Sequence, residues 1–482
     1  MNFTEDVLES FPAARPALIT VGADGERRVW GFGELIARSA GLSGSLIARG
    51  VGRGDVVMTL IGNRAEWVLS MLACFRIGAV ALPCNTQLRR ADLAHRVGTA
   101  DPKLAIGEQR FLDQLPEGAP YMTLEDVAGV LDEDRPQEPP GEIAELDPDD
   151  PALIVFTSGT TGESRAAVHP QRYLTGQALQ AKHWFGAEPG EIAWCTAATG
   201  WSKSARNSFI APWLCGAVAL LHDGRFDPDE RLEICEREGV ATLCQAPTEY
   251  RILAKRTELR PVESLRRLVS AGEPLNPEVI RAFREGLGLE IHDGYGQTET
   301  GALTGSLTGQ GMREGSMGRP LPGIEVRIED GELVLDPASC PTFFSGYLGS
   351  EPHSGEEPWH TGDLVSSDDD GYLWFEGRAD DVIISSGYRI GPFEVESALL
   401  TDERVAEAAA VAAPDDERGS VVKAFVVLRS GEPGEALKAE LQEHVKRTTA
   451  PYKYPREVEF TESLPKTASG KIRRAELRGR GT

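Results

Sequence analysis

Ala152-Leu-Ile-Val-Phe156 is an unbroken apolar run that passes directly into Thr157-Ser-Gly-Thr-Thr-Gly-Glu-Ser-Arg165. Five apolar residues without polar alternation read as a buried strand, and the segment after it as a loop. The preceding chain fits around such a strand. Phe32 to Val51 carries Leu35, Leu42 and Leu46 at helical spacing, with Gly50 as a stop. Asp55 to Ile61 is β-rich, Trp67 to Phe75 reads as a buried helix, and Ala79 to Leu82 as a strand. Alternation of this kind predicts an α/β architecture with a largely parallel sheet.

At 482 residues the chain has material for two to four domains. Glu133 to Pro151 is rich in Asp, Glu and Pro, has no apolar period, and reads as a surface connector. The character changes near Asp363. Leu364–Ser367 and Tyr372–Phe375 flank Asp370-Gly371, a hairpin signal. Beyond Gly377-Arg-Ala-Asp-Asp381 lies a compact α+β region, with strands expected at Val421–Leu428 and Val458–Phe460 and a helix at Glu435–Val445. The expected division is a large multi-layer α/β domain, 1–379, followed by a small domain, 380–482.

The net charge of −25 argues against a general nucleic-acid or membrane-surface binder. The end of the chain differs: Lys446 to Thr482 holds ten Lys/Arg against four Asp/Glu. That stretch is either a solvated basic end or a surface that meets an anionic substrate. The cysteines (Cys74, Cys84, Cys195, Cys215, Cys235, Cys244 and Cys340) form no CxxC pair. They suggest neither a disulfide framework nor a zinc site, and fit free thiols in a reducing cytoplasm. No signal peptide, membrane span or lipidation motif is expected, so the protein reads as cytoplasmic.

The loop from Thr157 to Arg165 can wrap phosphate oxygens with backbone N–H groups and hydroxyls, Arg165 adding charge. It lacks the GxxxxGK[ST] pattern, and Ser/Thr/Gly clusters are more often ordinary turns. Gly309-Gln-Gly-Met-Arg-Glu-Gly315 has the wrong spacing for a dinucleotide fingerprint and reads as a loop.

Context separates the readings of the first loop. The same chain carries, in order, Ser270-Ala-Gly-Glu-Pro274, Asp293-Gly-Tyr-Gly-Gln-Thr-Glu299, His360-Thr-Gly-Asp363, Gly377-Arg-Ala-Asp380, Ser386-Gly-Tyr-Arg389 and Pro465-Lys-Thr-Ala-Ser-Gly-Lys471. This set resembles the AMP-forming adenylate family of acyl-CoA synthetases, firefly luciferases and peptide-synthetase adenylation domains. The similarity runs from Asn63-Arg-Ala-Glu-Trp67 to the C-terminal lysine. Gly200-Trp-Ser-Lys-Ser-Ala-Arg206, Tyr295–Glu299 and Tyr452-Lys-Tyr-Pro-Arg456 look most like the medium-chain acyl-CoA synthetase branch.

The resemblance implies an AMP-forming ligase that uses ATP and Mg²⁺, with CoA as co-substrate and a medium-chain or aryl-type acid as partner. It implies roles for individual residues. Thr157, Ser158, Gly159, Thr160, Thr161, Gly162, Arg165 and Arg389 would hold ATP phosphates. Gly272, Glu273, Pro274, Asp293, Gly294 and Tyr295 would line the adenine slot. Asp363 and Arg378 would take the ribose. Thr298 would contact the α-phosphate, and Glu299 would hold Mg²⁺, a hard cation that needs few protein ligands. Lys471 would stabilise the transition state in which two anions meet. The small domain would then rotate about Asp380, with Gly387 beside the CoA tunnel. Trp201, Ser202, Lys203, Gly294 and Gly296 would border the acyl pocket, although Trp201 could equally be a core aromatic.

Two departures stand out. The family's loop usually ends in Pro-Lys-Gly, whereas here it is Ser164-Arg165-Ala166, a planar fork in place of a point charge. Family members restricted to acetate carry tryptophan at the position of Gly296, so glycine is expected to leave the pocket open. Two alternatives remain at this stage: an adenylating enzyme that loads a separate carrier protein, and a non-catalytic nucleotide-binding relative. Chain length of the acid and oligomeric state, a homo-oligomer included, are open.

Overall fold

The computed structural model describes residues 1–131, 139–157, 164–385, 388–415, 418–466 and 472–479, with Arg389 described in its backbone only. A large N-terminal α/β region precedes a smaller C-terminal one. The large region is built on two long sheets. In the seven-stranded sheet, Pro151–Thr157 lies between Val80–Pro83, to which it runs parallel, and Arg165–Pro170, to which it runs antiparallel. Ala152 to Phe156 is buried throughout, as an apolar run without alternation requires.

In the nine-stranded sheet, Ile291–Gln297, Arg267–Ala271, Val240–Gln245 and Ile192–Cys195 are parallel neighbours. Gly301–Gly305 closes back antiparallel on Ile291–Gln297. The two sheets share one core. Helix Ala65–Ile77 buries Trp67, Leu69, Leu72 and Phe75 in an apolar cluster that includes strand residues of both sheets. Trp67 meets Phe209 edge-on at 5.4 Å, and Phe209 belongs to the helical run Ser202–Leu214. That run widens to a π-type turn over Arg206–Ile210, an irregularity common near functional sites.

A four-stranded antiparallel sheet follows, in which Trp359–Ser367 pairs with Leu373–Arg378 across Asp370-Gly371. Gly371 takes the positive φ of 81° that such a turn needs. The C-terminal part has a three-stranded sheet of Val405–Asp415, Gly419–Leu428 and Glu457–Phe460. Helices Pro392–Leu400 and Glu435–Thr448 cover it, Leu437, Leu441 and Val445 forming the buried stripe. No helix among the described residues is long and apolar enough to cross a membrane.

Candidate active site

Parallel strands of an α/β sheet present their carboxyl ends, and the loops leaving them, as the natural binding edge. Thr157, Ala271 and Gln297 each end a strand of this kind. Thr157 is half-buried and pairs directly with Arg165, so the two frame the loop between the strands. Ser158, Gly159, Thr160, Thr161 and Gly162 lie outside the described residues, as do Gly387, Lys471 and the side chain of Arg389.

After Ala271 the chain turns at Gly272, whose φ of +108° is unfavourable for a residue with a side chain. Glu273 does not aim its carboxylate at the turn's open face. It accepts hydrogen bonds from Thr248 Oγ1 at 2.8 Å and Arg251 Nη2 at 2.7 Å. The Glu273 carboxylate is thus engaged away from any ligand, and Gly272 offers backbone only. Lys203 Nζ donates to the Ala271 carbonyl at 2.9 Å, which ties the helical run from Ser202 to the same strand end. Trp201 caps that run and is half-buried, as are Ser202 and Lys203.

Asp363 is the best-organised acid of the site. Only 4% exposed, it accepts from Tyr295 Oη at 2.5 Å and Gln297 Nε2 at 2.7 Å on one oxygen. Arg378 Nη1 donates to the other oxygen at 3.1 Å. A carboxylate has about four lone-pair positions, so acceptor capacity remains. Burial, the Asp363 charge and the hydrogen bond to it push the Tyr295 phenol well above its ordinary pKa, so it stays a donor. Gln297 is held in turn by Trp359 Nε1 at 3.1 Å. Asp293 is buried, and burial raises its pKa well above the usual carboxylate range, opposed by the Gly294 N–H and the Lys203 charge.

Thr298 and Glu299 follow the end of the Ile291–Gln297 strand. Glu299 Oε1 accepts from Tyr347 Oη at 2.5 Å. The Arg165 guanidinium lies over the Tyr347 ring, 3.6 Å from its centroid. Arg165, Tyr347 and Glu299 thus form one connected array at the flank of the phosphate-type loop. Among the described residues no group of three or more His, Cys, Asp or Glu could hold a metal unaided. A lone carboxylate of this kind suits Mg²⁺ completed by phosphate oxygens and water.

The Cβ direction of Gly296 points at strand backbone. A Cβ there would stand 1.8 Å from the Gly301 carbonyl oxygen and 2.9 Å from Ala302 Cα. The pairing of the two strands shifts register at Tyr295/Gly296, and glycine is what allows the close approach. Gly294 lies against the Trp184 indole, 2.7 Å from where its Cβ would be. Sequence reasoning also missed Gln297, Tyr347, Trp359 and Arg251. All four act as partners of residues distant in the chain, a relation that carries no local signal.

A family profile described as AMP-binding enzyme matches residues 4–341, and one described as AMP-binding enzyme C-terminal domain matches 394–471. Among curated proteins, the uncharacterized acyl–CoA ligase YtcI of Bacillus subtilis (strain 168) is 40% identical, over 98% of this chain and 95% of its own. Mitochondrial acyl-coenzyme A synthetase ACSM3 of Mus musculus is 37% identical, over 99% of this chain and 90% of its own. Among solved structures, the anthranilate CoA ligase AuaEII in complex with anthranoyl-AMP superposes with a TM-score of 0.87 at 27% identity. The match covers 100% of this chain and 97% of that one.

Proposed function

Since this chain belongs to the AMP-binding enzyme family, as an AMP-forming acid–CoA ligase, we propose that it activates a medium-chain fatty acid or an aryl-type acid. ATP and the acid give an acyl-adenylate and pyrophosphate; CoA then takes the acyl group and AMP leaves. The observation that carries this reading for the chain's own residues is the Asp363 hub. Tyr295, Gln297 and Arg378 preset a buried carboxylate.

In this reading the Gly272–Pro274 backbone and Tyr295 hold adenine, while Asp363 and Arg378 orient the ribose. Glu299, kept in place by Tyr347, would hold Mg²⁺, which neutralises phosphate charge. Thr298 reaches the α-phosphate. Arg165 and Arg389 complete the phosphate cradle with residues 157–162. Lys471 supplies the cation that lets a carboxylate attack the α-phosphorus, and donors aimed at such developing charge are worth about 10²–10³-fold each. Trp201, Ser202 and Lys203 border the acyl pocket. Because Gly296 packs on strand backbone, rejection of acetate does not follow from that glycine alone.

In the same reading the large domain would end at 379 and the small one begin at 380. Asp380 is exposed, 3.5 Å from Arg378 Nε, and its carbonyl accepts from Arg478 Nη1 at 3.2 Å. A hinge there would let the small domain withdraw Lys471 and bring Gly387 to the thiol. A cytoplasmic location accords with seven cysteines that are all free thiols.

An ATP–pyrophosphate exchange assay with C2 to C12 and aromatic acids, run with and without CoA, tests the proposal. The expected result is acid-dependent exchange, and CoA consumption that is strongest for medium-chain or aryl acids. Exchange without thioester would point to a carrier-protein acceptor. Nucleotide binding without exchange would overturn the enzymatic reading.

A further inference from the structure

Arg206 is 6% exposed and lies in the widened turn one helical turn beyond Ser202. Its Nε and Nη1 are buried without a hydrogen-bond partner, and among the described residues no carboxylate pairs with it. Nη1 stands 3.7 Å from the Cβ position of Gly301, the residue whose carbonyl abuts Gly296. The buried Tyr173 hydroxyl lies against Arg206 and Ser202, whose hydroxyl is buried as well. Both ring nitrogens of His169 are likewise unpartnered. Burial and the charges of Arg206 and Arg172 hold His169 down to about 3, so it contributes no competing charge.

A buried guanidinium without an anion, next to buried hydroxyls, is costly and rarely retained without a use. An aliphatic tail would leave all of these groups unsatisfied. A second carboxylate would pair with the guanidinium's planar fork and accept from the hydroxyls.

We propose that Arg206 is a specificity-determining residue that selects acids bearing a second carboxylate remote from the one that is activated. The inference rests on the ligase reading above and on Ser202 and Lys203 bordering the acyl pocket. The preferred substrate is then a dicarboxylic acid converted to its mono-CoA thioester. The distal carboxylate stays intact against Arg206 through both half-reactions.

The test compares straight-chain dicarboxylic acids of three to twelve carbons with monocarboxylic acids of equal length, by pyrophosphate release and CoA consumption in the unmodified enzyme. At one chain length the diacid should exceed its matched monoacid by about 10²-fold or more in kcat/KM, since a site built to bond a polar group rejects the analogue lacking it. Arg206→Met should lower that diacid/monoacid ratio by at least about 30-fold, and Arg206→Lys should restore part of it. Monoacids preferred at every length overturn this inference and leave the ligase reading standing, and that comparison does not depend on any variant folding. Failure of every acid to release pyrophosphate overturns both.

Discussion

Tyr347 is a positioning residue in this site: its hydroxyl touches Glu299 and its ring carries Arg165, so one side chain spans the proposed metal ligand and the proposed phosphate cation. Removing only the hydroxyl frees Glu299 to rotate without opening a cavity. A hydrogen bond to a charged group is worth about 1.5–3 kcal/mol, roughly 10- to 100-fold. Tyr347→Phe should therefore raise the Mg²⁺ concentration needed for half-maximal pyrophosphate exchange by about 10-fold or more, with little change in Tm. An unaltered Mg²⁺ titration would separate Tyr347 from the metal site. His169 invites a test of a different kind. Its folded pKa lies near 3, against 6.5 when free, because burial and neighbouring arginines disfavour its charge. Below pH 6.5 the unfolded chain takes up a proton that the folded chain refuses. The contribution is thus complete above pH 6.5 and is lost as pH falls towards 3, at up to about 1.4 kcal/mol per unit. Neither ring nitrogen has a partner to lose. His169→Leu should flatten the fall of Tm between pH 6.5 and 5, and parallel profiles for variant and parent would show that His169 is charged in the folded protein.

Strand Ile291–Gln297 and its partner Gly301–Gly305 show what an element adds to its residues. Their register shift at Tyr295/Gly296 turns Tyr295 towards Asp363 and brings Gly296 onto the Gly301 backbone. Gly296→Trp should consequently fail as a simple narrowing of the pocket. Its Cβ would collide with main chain, which cannot rotate aside, and overpacking of that kind costs about 3 kcal/mol or more. We expect a clearly lowered Tm and loss of activity towards every acid. A stable variant that merely shifts preference to acetate would show that the strand pair can re-register. The same elements mark how far the sequence could be read. The Asp370-Gly371 hairpin, the apolar Pro151–Thr157 strand and the Glu435–Thr448 helix carry their cause locally, as turn residues or periodicity. Asp363 and Glu299 were legible as acids in recognisable settings. Gln297, which holds Asp363 across 66 positions, and Tyr347, which reaches Glu299 across 48, were not, because the pairing exists only after two sheets have assembled. The direction of the Gly296 Cβ was hidden for the same reason.

In the proposed cycle the small domain delivers a cation to the site and later removes it, and the described residues on either side of Lys471 are tied to that domain. Lys466 pairs with Ile472 across the segment that holds Lys471, and Lys466 Nζ meets Glu407 at 2.6 Å. Three residues past Lys471, Arg474 donates to both oxygens of buried Glu396 at 2.8 Å. Arg474 also faces Asp381 at 3.6 Å, directly after the proposed hinge residue. Movement at Asp380 would therefore be passed to the lysine-bearing segment through Asp381, Glu396 and Arg474. Lys471→Ala should remove the cation and leave these anchors intact. Acid-dependent pyrophosphate exchange should fall on the order of 10²–10³-fold, while Tm and CoA-dependent turnover of a preformed acyl-adenylate stay near the parent's. Equal losses in both half-reactions would mean that Lys471 serves the domain's structure or docking. Undiminished exchange would mean that charge neutralisation in the first step comes from the large domain alone.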